Sequence, residues 1–136
     1  MDLDQARQVI REQHHAVLAT MRRDGSPQLS PVTASVARDG RVIISSRETA
    51  YKVRNLRRDP RAWLCVLPDG FFGRWISVEG AVDILGLPEA MEPLVDYYRS
   101  TVGEHPDWDD YRAAMERERR VLIRIDPARA GPDRSG

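Results

Sequence analysis

Ser45-Ser46-Arg47-Glu48-Thr49-Ala50-Tyr51-Lys52 is the stretch whose residue types come closest to a chemical site. It runs from a strand end through hydroxyl side chains into the start of a helix. Such a junction presents unpaired backbone N–H groups and the positive end of a helix dipole, a combination that attracts phosphate. Ser45, Ser46 and Thr49 add hydroxyl donors, and Lys52, one turn in, can reach back as a compact cation. Each charge-assisted bond to a phosphate would contribute about 1.5–3 kcal/mol. The competing reading is structural: serine and threonine begin helices in many settings, and lysine usually sits in solvent. Lys52 nevertheless stands apart, because all but one of the 21 basic residues are arginine. GC-rich codon usage accounts for the arginine excess but not for the one lysine.

Other candidates surround this stretch. Arg54, Arg57, Arg58 and Arg61 extend a basic strip that suits an acidic cofactor tail, or else forms a solvated helix face paired with Asp59 and Glu48. Trp75 opens a strand after the glycine-bearing loop 68–73, where an indole packs either against a flat ring or into the core. Gln28 and Ser30 flank Leu29 just after a tight turn and are candidates for polar contacts to ring edges. Several chemistries have no footing. The chain lacks a dinucleotide-binding glycine fingerprint, a Walker loop, a His-Glu-x-x-His pair and a nucleophile elbow. Cys65, the one cysteine, excludes an intrachain disulfide and reads as a small buried hydrophobe. His14, His15 and His105 lack metal-ligand spacing, so no metal site is expected. No side chain is assigned as catalytic; an enzyme of this composition takes its chemistry from a cofactor and supplies position and electrostatics.

The elements that must hold these residues follow from periodicity. Asp2 or Asp4 can cap a helix with Leu3, Ala6, Val9 and Ile10 on one face. Residues 15–21 read as a strand, and Asp24-Gly25 turns it into residues 29–37, where apolar and polar side chains alternate. Asp39-Gly40 leads into a strand over 41–46. A short helix over 49–58, capped by Ser46 or Thr49, stops before Pro60 because the preceding residue is driven out of helical geometry. Strands are expected over 61–67 and 74–85. A helix after Pro88 places Met91, Leu94, Val95, Tyr98 and Val102 on one face and ends at Gly103. Asp107 caps a helix over 108–118, residues 120–125 form the last strand, and 129–136 reads as a loose tail. Six antiparallel strands in so short a chain favour a closed or nearly closed barrel with short flanking helices, which removes exposed edges.

Length and composition bound the rest. At 136 residues the chain is one domain over 1–136, and 41% hydrophobic residues supply one modest core. A chain this size buries only about two-thirds of its unfolded surface, so a large ligand belongs in a groove or between subunits. Zero formal net charge argues against a general nucleic-acid binder. An acidic start without a signal-like apolar run, and no run of membrane-spanning length, lead to the expectation of a soluble cytoplasmic protein.

Lys52-Val53-Arg54-Asn55-Leu56-Arg57-Arg58-Asp59-Pro60-Arg61, with Val78-Glu79-Gly80 downstream, resembles the deazaflavin-using branch of the pyridoxine 5′-phosphate oxidase-like split β-barrel superfamily. The similarity extends through Thr20-Met21-Arg22-Arg23-Asp24-Gly25-Ser26-Pro27-Gln28-Leu29-Ser30. It continues through Tyr98-Arg99, Gly103-Glu104-His105 and Asp107-Trp108-Asp109-Asp110-Tyr111-Arg112, nearly the whole chain. The resemblance implies a mainly β, six-stranded split barrel that forms a homodimer with two symmetric clefts, each lined by both subunits. It implies that a cofactor phosphate lies by Ser45, Ser46 and Lys52, and that the Gln28–Ser30 strand and Trp75 approach the ring. The implied cofactor is coenzyme F420, an 8-hydroxy-5-deazaflavin, and the implied activity is hydride transfer between the reduced deazaflavin and a small organic electrophile such as an enone or imine. Two alternatives stay open on the same fold: an FMN enzyme of the pyridoxamine phosphate oxidase type, and a non-catalytic cofactor carrier or sensor. Two departures bear on the groove. Thr49-Ala50-Tyr51 stands where members often carry another basic residue or proline, which puts Tyr51 at the groove. Pro31 in mid-strand points to an edge or bulge near the ring.

Overall fold

The computed structural model describes residues 1–132 and the backbone of residues 134–135. The chain opens with α1 (Leu3–Glu12), started by a reciprocal cap in which Asp2 Oδ1 accepts from the Gln5 N–H at 2.8 Å and Gln5 Oε1 accepts from the Asp2 N–H at 3.0 Å. Ala6, Val9 and Ile10 from this helix are buried in the barrel interior. Strands β1 (His15–Met21), β2 (Pro27–Thr33), β3 (Ser35–Val36) and β4 (Val42–Arg47) follow, then α2 (Tyr51–Arg58). After it come β5 (Arg61–Leu67), β6 (Arg74–Leu85), α3 (Met91–Thr101), α4 (Trp108–Arg117), β7 (Arg120–Ala130) and β8 (Arg134–Ser135). The sheet runs β2-β1-β5-β6-β7-β4-β3, with antiparallel pairing throughout and β8 paired to β6 off that path.

The pairing path thus holds seven strands where six are expected. The stretch read as one strand over 29–37 breaks at Ala34. The Ala34 N–H donates to His14 O at 2.7 Å, and His14 Nδ1 lies 2.8 Å from Ala34 O. That clamp carries the chain from one edge of the sheet, β2, to the other, β3. β7 also continues past 125 to Ala130, and Arg134–Ser135 pair with Arg74 and Trp75, so much of the expected loose tail is strand; positions 133 and 136 lie outside the described residues. The extension of β7 passes a register shift at Glu79/Gly80. There a Cβ on Gly80 would lie 1.9 Å from Asp126 O, so the neighbouring backbone excludes any side chain.

Alternation sets what each face touches. Leu18, Leu64, Ile76, Ile44 and Ile123 turn into one interior with α1 and α2. Val53 and Leu56, 0% and 2% exposed, dock α2 onto that interior, each contributing about 1.5–3 kcal/mol. The opposite face of β4 and β7, through Ile43 and Leu122, packs under α3 and α4 with Leu94, Val95, Tyr111 and Met115. Burial on both faces explains why the start of β4 reads as a continuous apolar run rather than an alternating one. Val102, expected on the buried face of α3, is exposed beyond the helix end. No helix among the described residues is long and apolar enough to cross a membrane.

Candidate functional site

A cleft of about 850 Å³ opens where β2, β4, α2, α3 and α4 converge, within the range that suits a cofactor-sized ligand. Ser45 reaches it because it shares the outward face of β4 with Ile43, whereas Ser46 turns the other way. Ser46 is 2% exposed and its hydroxyl donates to Arg47 O at 3.1 Å, so the barrel wall separates it from the cleft. The two adjacent serines, grouped together from sequence, are therefore split by the strand period. Ala50, not Ser46 or Thr49, occupies the cap position of α2, and it makes no side-chain cap bond.

Lys52 stands in the first turn of α2 with its side chain partly buried in the cleft wall. Burial first, and the positive Arg120 second, push its pKa below the ordinary lysine value. Among the described residues no carboxylate or hydrogen-bond acceptor partners its ammonium group. Arg120 lines the same cleft but is already engaged, donating from Nη2 and Nε to Glu118 Oε1 at 2.8 and 3.2 Å. A desolvated cation without a counter-ion is costly unless something anionic visits it.

The remaining walls are aromatic and hydroxylic. Tyr97, on α3, donates its hydroxyl to Thr33 O at 2.8 Å and so ties α3 to the end of β2; burial raises its pKa. Tyr111, on α4, donates to Leu94 O at 2.8 Å, and burial pushes its pKa up to about 12. Both hydroxyls are thus protonated donors already spent on backbone carbonyls, which makes them wall material rather than acids or bases. Tyr98 is flanked by His105, Trp108 and Tyr111 rings at 5.1, 5.8 and 5.1 Å, a rigid edge-to-face stack. Pro31, His15, Leu67 and Phe71 complete the opening.

Of the candidates named from sequence, the cleft brings together Lys52, Ser45 and Pro31. Pro31 lies on β2, an edge strand, where its missing N–H leaves no ladder bond unmade. Gln28 is committed elsewhere: its Oε1 accepts from Asn55 Nδ2 at 2.7 Å, and the same amide donates to Thr20 Oγ1 at 3.1 Å. Arg58 closes that knot by donating to Asn55 Oδ1 at 3.1 Å and to Met21 O at 2.6 Å. Ser30, paired opposite Leu18, does not line the cleft. Tyr51 is 70% exposed on the outside of α2, with the Arg54 guanidinium 5.8 Å from its ring. Trp75 stands partly exposed at the far end of β6 beside β8, away from the cleft lining.

The arginine strip divides. Arg58 belongs to the Asn55 knot and Arg61 chelates Asp59 at 2.8 and 2.8 Å, while Arg54 and Arg57 stay exposed. Glu48, expected to pair with the strip, instead accepts from Arg119 at 2.7 and 3.1 Å. Cys65 lies on the outer face of β5 rather than in the core, partly exposed, and burial raises its thiol pKa. Arg120, Tyr97 and Phe71 line the cleft without a signal in the sequence. One arginine among 20 carries no local signal, and Tyr97 and Phe71 reach the cleft only through packing of distant segments.

A second hollow, of about 590 Å³, lies between α3 and β3 over Ile43 and Leu122. It contains none of the candidates, and two of its arginines, Arg99 and Arg124, are paired with Glu104 and Asp83.

Residues 3–132 match the family model for pyridoxamine 5′-phosphate oxidase. Among solved structures, a conserved hypothetical protein of Mycobacterium tuberculosis superposes with a TM-score of 0.76 at 27% identity, over 96% of this chain and 82% of its own. A protein described as an F420 reductase superposes at 0.72 with 21% identity, over 91% of this chain and 94% of that one. A heme storage protein of Vibrio cholerae superposes at 0.71 with 14% identity, over 100% and 98%. The last two similarities are of fold alone.

Proposed function

The chain belongs to the pyridoxamine 5′-phosphate oxidase family, and we propose that it is an oxidoreductase holding a phosphate-bearing flavin-type cofactor, coenzyme F420, in the cleft beside Lys52. The observation that carries this reading is the Lys52 ammonium group: partly buried, next to a second cation, and without a counter-ion among the described residues. A phosphate supplies the missing negative charge, and the Ser45 hydroxyl on the same wall supplies a further donor. The apolar and aromatic remainder of the cleft suits a flat ring better than a sugar or a peptide.

When bound, reduced deazaflavin supplies a hydride. The chain's own part is to hold the phosphate at Lys52 and Ser45, to line the ring site with Tyr98 and Met115, and to keep α3 fixed through the Tyr97 hydroxyl. A small organic electrophile such as an enone or imine would be the acceptor of that hydride. FMN is the second reading, favoured by the family match itself.

The working unit is a homodimer. Across β2, β1 and β5 the pairing lines up Leu29, Ala19 and Trp63 in one row and Pro31, Val17 and Cys65 in the next, on the face opposite the core. Leu29 is 65% exposed and the others remain partly or fully exposed, an apolar sheet face that a second copy would cover. Val17 and Pro31 also line the cleft, so that copy would border the ligand.

Titration with coenzyme F420, followed by its fluorescence and run beside FMN, tests the assignment. One saturable site per chain is expected for one of the two. Failure of both to saturate would end the cofactor reading.

A further inference from the structure

The loop between β5 and β6 carries the two largest exposed apolar side chains close together: Phe71 is 59% exposed and Phe72 76%. They contact each other edge to face, with ring centroids 4.9 Å apart. Phe71 has φ +72, a left-handed backbone that a bulky side chain adopts only at a cost. The turn that imposes it is well fixed. The Phe71 N–H donates to Pro68 O at 2.9 Å, the Phe72 N–H donates to Gly70 O at 2.9 Å, and Asp69 Oδ1 lies 3.1 Å from His15 Nδ1 on β1. The strained residue is also the one residue of this loop that lines the Lys52 cleft. The turn holds this costly conformation and leaves an apolar ring partly in water, and its consequence is to set that ring at the mouth of the cleft.

We propose that Phe71 is the aromatic platform for the flat ring of the ligand whose phosphate Lys52 holds, taking the role that sequence alone suggests for Trp75. This rests on the cofactor reading above and adds to it the residue that recognises the ring rather than the phosphate. Phe72 contacts the platform edge to face, and the Asp69–His15 contact ties the loop to the opening of the cleft. The two ends of one ligand are thus read by two elements remote in sequence, α2 for charge and the β5–β6 loop for the ring.

The test uses the full-length protein and two probes: coenzyme F420, and its ring-and-ribityl fragment without the phosphate. FMN and riboflavin form the equivalent pair. Phe71→Gly removes the ring and the strain together, Phe71→Tyr restores an aromatic face, and Lys52→Met removes the charge while leaving the loop untouched. Phe71→Gly is expected to weaken the phosphate-free fragment and the complete cofactor by the same factor, about tenfold, with Phe71→Tyr recovering most of it. Lys52→Met is expected to weaken only the complete cofactor. Independently of any ligand, Phe71→Gly should melt no lower than the parent, because relief of the left-handed strain at least offsets the greater unfolded-state freedom of glycine. Unchanged affinity of Phe71→Gly for both probes overturns the platform and leaves the phosphate site standing. A loss confined to Phe71→Gly, with Lys52→Met binding normally, keeps the platform and removes the phosphate assignment. If neither probe pair binds the parent protein, both fall.

Discussion

Replacing Gly80 with alanine should damage this fold more than the same change at any other described glycine. The Cβ would lie 1.9 Å from Asp126 O and 2.8 Å from Asp126 C, both backbone atoms of β7 and unable to rotate away. Reaching even 3.0 Å requires β6 and β7 to part by more than 1 Å at the register shift. Two ladder hydrogen bonds flanking the bulge would stretch, at about 1 kcal/mol each, and residual crowding would add a comparable amount, for a total of about 2–4 kcal/mol. For a chain of this length, at roughly 3–4 °C per kcal/mol, the melting temperature should fall by about 6–16 °C. Differential scanning calorimetry measures this directly. Gly86→Ala is the matched control, since nothing lies within 4 Å of its added Cβ and its φ is not left-handed; it should melt at or slightly above the parent. A Gly80→Ala protein melting within about 2 °C of the parent would refute the close-approach argument.

Asn55→Ala strands the Gln28 carbonyl and the Thr20 hydroxyl, the latter 1% exposed, and releases Arg58 from the helix. Urea unfolding should show a loss of about 2–4 kcal/mol, and a loss under about 0.5 would mean that the knot does not hold α2. Lys52→Met should change the pH dependence of stability in a defined direction. The folded-state pKa of Lys52 is lowered, so its charged form costs the fold; that cost is present at neutral pH and fades as the pH rises through the lowered pKa toward the ordinary one, where the folded chain has given up its proton first. The variant should therefore be more stable than the parent at pH 7, with an advantage that shrinks on raising the pH. An advantage growing with pH would contradict the burial argument.

Much of the architecture was legible in the chain because it rests on local rules. Asp2, Asp107 and the Asp-Gly turns mark boundaries by backbone chemistry alone, and the strands expected over 15–21 and 61–67 coincide with β1 and β5, although the apolar run around Cys65 conceals which of its residues face outward. The miscounted strand comes from Ala34, whose clamp to His14 is a contact 20 residues distant with no local trace. In the site, Lys52 stood out by being the one lysine, and its neighbour Ser45 by position on a strand end. Ser46 was misplaced because both serines looked equivalent until the pleat assigned them to opposite faces. Gln28 looked available, but the amide of Asn55 claims it, and side chain–side chain bonds between a helix and a strand leave no spacing signature. Trp75 was the more conspicuous ring, yet the loop geometry around Pro68 and Gly70 delivers Phe71 to the cleft instead.

A negatively charged group meeting the Lys52 ammonium in the cleft is what joins this fold to its chemistry. The most direct measurement is the dissociation constant of coenzyme F420, and of FMN beside it, for the parent protein and for Lys52→Met at one fixed salt concentration. One lost charge-assisted bond of about 1.5–3 kcal/mol predicts affinity lower by about 10- to 150-fold in the variant, with the melting temperature undiminished. Equal affinities for the two proteins would contradict it.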